Sequence, residues 1–177
     1  MKKTLITALL IVLLSSTGLF AAVSDNFNVT TVVANVDLMT ISTTQFTGTT
    51  VAAFEALVPF TTLAISGGGA QTFNAWLSTL SNNRAGFKVT MKATAMKSSI
   101  AGQADAFINY TVTCNSKSVT TNDAAEVTAT SPILTYPSLS LVTKTSNKIS
   151  LTVIQTDFDK ALSGSYTGTV TFIYTAN

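Results

Sequence analysis

Along most of this chain apolar and polar residues alternate one for one. In "GFKVTMKATA", Phe87, Val89, Met91, Ala93 and Ala95 fall on one side of an extended backbone, with Lys88 and Lys92 on the other. "NFNVTTVVANV" sorts Phe27, Val29, Thr31 and Val33 onto one side, and "AFINYTVTC" does the same for Ala106, Ile108, Tyr110, Val112 and Cys114. A period of two is that of a β-strand. Further strands are predicted over residues 36–41, 60–65, 127–134, 139–143, 149–155 and 166–174, separated by the turn chemistry of "SGGG", "SNNRAG", "CNSKS" and "TNDA". Many short, β-branched strands at this spacing predict an all-β fold, a β-sandwich. "TVAAFEALVPF" and "TFNAWLSTL" show no clear period; within the second, "NAWLSTL" reads as a short helical turn with Asn74 as its cap. No internal repeat and no linker interrupts the pattern.

The first residues follow another plan. Lys2 and Lys3 precede an apolar run over residues 5–14, then a polar stretch over 15–18 and small residues at Ala21 and Ala22. That is the three-part layout of a secretory signal peptide, residues 1–21, cut after Ala21 or Ala22. The run falls short of the about 20 apolar residues a spanning helix needs. Of 177 residues, the remainder suffices for one domain with a real core.

Removing those two lysines changes the charge. Eight basic residues then face eight acidic ones, and only 10% of the whole chain is charged. A neutral surface excludes the clustered Lys and Arg that bind nucleic acid or anionic membrane. It also weakens the usual protection against self-association, which suits a subunit better than a freely diffusing enzyme.

Candidate chemistry is sparse, and no cofactor or metal set is marked. Cys114 is the single cysteine, so no internal disulfide staples the fold; it reads as a small buried hydrophobe. A thiol or hydroxyl nucleophile normally works with a base, most often His, and the chain has none. "SGGGA" lacks the Gly-Lys-Ser/Thr of a phosphate loop and reads as a flexible hairpin tip. Asp157 and Asp159 in "TDFDK" have no third ligand nearby and read as part of a solvated turn. "NVT" at 28–30 and "NYT" at 109–111 match the glycosylation acceptor tripeptide, and the lone Trp76 reads as core.

The two ends remain. Neither residues 27–36 nor the stretch after Lys160 carries Lys, Glu or Pro, the residues that blunt a sheet edge. Such strands are either internal to a closed sandwich or completed by a second molecule through strand addition.

These ends resemble a family. "DNFNVTTVVANVDL" and "GSYTGTVTFIYT" look like the two ends of major subunits of alpha-class, colonisation-factor-type chaperone-usher fimbriae. The residues that carry the likeness are Asn26, Phe27, Val29, Thr30 and Val33, then Gly164, Tyr166, Gly168 and Val170. Spore-coat-protein-U-like secreted proteins share part of the C-terminal pattern. The match covers about a quarter of the mature chain well, with "INYTVTCNSKSVTT" similar to the family's central strand pair and residues 41–84 unaligned.

The resemblance implies an immunoglobulin-like β-sandwich, incomplete and completed by donor-strand exchange. It divides the chain into a donor extension over residues 22–35 and a pilin-like domain over 36–177. The donor residues would be Phe27, Val29, Thr31 and Val33; Thr31 departs from a wholly apolar row. Tyr166, Gly168, Val170, Phe172 and Tyr174 would border the groove and pair with a chaperone. Implied partners are identical or related subunits, a periplasmic chaperone, an outer-membrane usher, and a host glycan or protein receptor, with passage through the periplasm to the cell surface. Two other readings stay open: a self-contained secreted coat or matrix protein, and a sugar-binding adhesin module.

Overall fold

Backbone pairing organises residues 34–177 into eleven strands. The computed structural model describes residues 27–177, so the predicted signal peptide lies outside the described residues. Ala34–Asn177 make up one unit, to which the described residues 27–33 do not belong.

Five strands lie side by side in the order β1 (Asp37–Ser42), β3 (Trp76–Ser81), β10 (Thr143–Val153), β6 (Tyr110–Cys114) and β7 (Lys117–Thr120), with β2 (Gly69–Ala70) beside the end of β10. In the second sheet β11 (Thr167–Ala176) covers one side of β4 (Phe87–Ser98). The other side of β4 is shared by β9 (Leu134–Tyr136), β8 (Val127–Thr128) and β5 (Ala106–Ile108). Every pairing is antiparallel. Two five-residue helices, α1 (Val51–Glu55) and α2 (Gln155–Asp159), sit in the connections.

The fold is an all-β sandwich. Phe87, Val89, Met91 and Ala93 of β4 are all buried, as their alternation predicts, and meet Leu77, Val112, Cys114 and Val153 from the facing sheet. Each of the larger side chains contributes about 1.5–3 kcal/mol by leaving water. Cys114 lies in this core, and burial pushes its thiol up to about 12.

At one end the interior turns polar. The Tyr174 hydroxyl donates to Asp37 Oδ1 at 2.5 Å, joining β11 to β1, and the same oxygen accepts from Ser81 Oγ at 2.7 Å. Phe87 stands between the rings of Tyr136 and Tyr174, each 4.9 Å away centre to centre. The bond from Tyr174 clasps the two outermost strands together.

Several sequence expectations are corrected. "NAWLSTL" is β3, not a helical turn. Its period is hidden because both faces are covered: Leu77 and Thr79 point inward, while Leu80 lies under Phe46 and Phe54 in a second small cluster. Those two rings meet edge to face at 5.0 Å, in a connection held by the α1 cap, where Ala53 N–H donates to Thr50 Oγ1. Trp76 is half-buried on this outer face instead of in the core. The "TDFDK" turn is α2, in which Asp157 accepts from Asn109 and Asp159 from Gln155. Residues 139–142 precede β10, which starts at Thr143. Residues 27–33 and 60–65 form no strand despite their alternation, because neither has a ladder partner.

Candidate functional site

β1 and β11 are the outermost strands of their sheets, and no ladder joins them. Between them, away from the Asp37–Tyr174 clasp, lies a furrow of about 820 Å³. Its floor is apolar core side chains, among them Val112, Ile149 and Leu151. One wall is Tyr166, Gly168, Val170 and Phe172; the other is Ile41, Phe60, Leu63 and Ile65. Phe158, Ala161 and Leu162, around the end of α2, also line it. Among the described residues no charged side chain does.

Both walls have backbone to spare. β11 pairs with β4 along one side and, among the described residues, joins no ladder along the side that faces the furrow. Opposite it, Phe60 N–H donates to Ile41 O at 2.9 Å, but residues 61–66 join no ladder. Their alternation persists as burial: Leu63 and Ile65 turn into the furrow while Thr62, Ala64 and Ser66 stay exposed. An unpaired edge leaves N–H and C=O groups without ladder partners, which strand addition would satisfy.

The C-terminal pattern acquires physical reasons residue by residue. At Gly168 the register of β11 against β4 shifts, forming a bulge, and a Cβ there would stand 2.9 Å from Thr94 O and 3.0 Å from Met96 N. Only glycine lets the strands approach so closely. Tyr110, reaching across from β6, donates its hydroxyl proton to Thr94 O at 2.9 Å, and Thr169 N–H donates to Thr94 Oγ1 at 3.1 Å, so the bulge is fastened from both sheets. Burial pushes the Tyr110 hydroxyl up to about 12, keeping it a donor. A Cβ at Gly164 would meet Ser98 Oγ at 2.5 Å. Tyr166 lines the furrow with its ring while its hydroxyl donates to Leu162 O. Tyr174 does not line it; it belongs to the clasp.

The N-terminal row is placed differently. Phe27 and Val29 are 86% and 84% exposed, and Thr31 and Val33 are exposed too. They belong to no helix or strand. The alternating apolar side chains of this segment are therefore exposed and, among the described residues, packed into no core cluster.

Sequence reasoning missed the second wall, reading residues 60–65 as an ordinary strand, and missed Tyr110 as the fastener of the bulge. The remaining candidates are used structurally. Asn109 of "NYT" donates from Nδ2 to Asp123 Oδ1 and Asp157 Oδ2, at 2.8 and 2.9 Å, so its amide is fully engaged. Gly69–Ala70 of the "SGGGA" stretch pair with β10. No family model, curated protein or solved structure matches this chain. The meaning of the furrow has to be taken from its own residues.

Proposed function

We propose that this chain is a structural subunit of a bacterial surface fimbria, exported through the periplasm and polymerised by donor-strand complementation. In this reading its sandwich is immunoglobulin-like and incomplete. The observation that carries it is a pairing of opposites in one sequence: an uncharged furrow flanked by unpaired backbone, and an alternating segment, residues 27–33, whose apolar side chains are exposed. Phe27, Val29, Thr31 and Val33 of one copy enter the furrow of the next, and the segment's backbone pairs with the free edge of β11. Burying one Phe and two Val contributes about 1.5–3 kcal/mol each before ordering costs. Main-chain hydrogen bonds along the strand add to that, and the furrow's apolar lining favours an apolar row.

Before assembly the same edge and furrow need a temporary cover, the task of a periplasmic chaperone, with an outer-membrane usher as the place of exchange. A host glycan or protein would be the receptor of the finished fibre. Thr31 is the one polar member of the donor row, and Thr61, in the furrow's lining and in alternation with Leu63 and Ile65, offers it uncharged polar company.

The test is electron microscopy of cells producing the protein, together with electrophoresis of the purified material without boiling. Filaments, and ladders that withstand detergent and collapse on boiling, are expected. Monomers in both, with residues 27–33 paired inside their own subunit, would leave a self-contained coat or matrix protein as the better account.

A further inference from the structure

Residues 34–36 are tied down at one end of the sandwich by a single residue, Asn82, through its side chain and its backbone. Asn82 Nδ2 donates to Ala34 O at 2.8 Å, Val36 N–H donates to Asn82 Oδ1 at 2.7 Å, and Asn82 N–H donates to Val36 O at 3.0 Å. The amide of Asn82 thus imitates a neighbouring strand. One residue further on, Asp37 is held by Ser81 and Tyr174. The N-terminal segment is rooted at Ala34.

Beside that root lies an apolar patch that the sandwich does not use. Leu141 and Val142 are 70% and 54% exposed. They immediately precede Thr143, which pairs with Ser81, itself paired with Asp37. The neighbouring turn is tied to the same end, since Leu139 N–H donates to Arg84 O. Arg84 is the only charged residue in residues 82–86 or 137–142.

We propose that this end, around Asn82, Leu141 and Val142, is a docking face for the next copy of this chain. The inference rests on the donor-strand reading and follows from chain length. Val33, the last donor residue, is bonded directly to Ala34, the root. Consecutive Cα atoms are about 3.8 Å apart, so no slack separates a donor strand seated in a neighbour's furrow from the body that supplies it. The rim of the acceptor's furrow must then press on the donor's root, covering Leu141 and Val142. The contact is head to tail, the kind that extends into a filament whenever its rotation does not close a ring. It also supplies a second bond between copies, independent of the inserted strand.

The test uses the full chain carrying Leu141→Glu and Val142→Glu, with Leu141→Ser as a milder companion. Two measurements are compared with the unsubstituted chain: dissociation of the polymer in urea, and binding of a labelled synthetic peptide of residues 22–34 to the furrow. Both substituted residues are exposed, so thermal unfolding should be unchanged. The expected result is dissociation about tenfold faster or more, equivalent to about 1.4 kcal/mol, with peptide affinity unaltered. Leu141→Ser should lie between. Dissociation at the unsubstituted rate with normal peptide binding would remove the docking face and leave the donor-strand reading standing. If the unsubstituted chain neither polymerises nor binds the peptide, the donor-strand reading falls and the docking face with it.

Discussion

Gly168 and Asp37 show how much single residues set around this furrow. A methyl at Gly168 meets the backbone of β4, not a side chain that could swing aside, and Tyr110 and Thr94 already fasten the bulge. Gly168→Ala should therefore cost about 1–3 kcal/mol, read as a lower urea midpoint with an unchanged slope. Asp37 works through charge. Desolvation pushes its carboxyl up, but hydrogen bonds from Tyr174, Ser81, Asn35 and Asn83 outweigh this and hold it below the ordinary 3.8. An unfolded chain binds that proton more readily than the folded one, so the stability it contributes is present above the ordinary carboxylate range. It is lost as pH falls through the folded value. Asp37→Asn should flatten this acid limb in unfolding curves measured at successive pH values. On the alkaline side burial, aided by Asp37, raises Tyr174 to about 12, and burial alone raises Tyr110 and Cys114 to about 12. Those contributions persist below the ordinary values of 10.0 for the tyrosines and 9.0 for the thiol, and disappear as pH climbs through about 12.

At the scale of elements the decisive contrast is between alternation and pairing. β4 and residues 27–33 have the same period-two pattern, yet the first is a strand and the second is not. The pattern reports which side chains share a face; a ladder requires a neighbour, and only β4 has one on each side. Along one wall the sequence named Tyr166, Gly168, Val170 and Phe172 through a resemblance, and those four line the furrow while Tyr174 does not. The furrow was illegible along the other wall, because "FTTLAI" carries no sign that its partner is missing. β3 erred in the opposite direction, its covering by the Phe46–Phe54 connection arising from a contact distant in sequence. Val29→Arg tests the element that lacks a partner. The arginine should forbid entry into an uncharged furrow while leaving the body intact, since Val29 is exposed. Light scattering should then show no chain growth, with circular dichroism unaltered; growth at the ordinary rate would overturn the proposed register.

For the whole molecule, composition and architecture agree. A chain with so few charges keeps them out of the furrow lining among the described residues, and places Asp37 at the clasped end, where it, Ser81 and Tyr174 satisfy one another. That division was invisible to a reading by period, because Asp37 and Ser81 occupy inward positions as any apolar residue would; only the approach of Tyr174 from the other sheet explains them. Stability is divided unevenly as well. β3 is flanked by β1 and β10, roofed by Phe46 and Phe54 on one face and packed on the main core by the other. Its amide protons have no local route to solvent. In deuterium exchange they should be the last to be replaced, at a rate set by opening of the entire sandwich, while those of residues 61–66 are replaced almost at once. Strand β3 thus serves as a built-in gauge: the slowest amides along residues 76–81 measure the free energy of unfolding directly, and any occupant that truly completes the sandwich should slow them further.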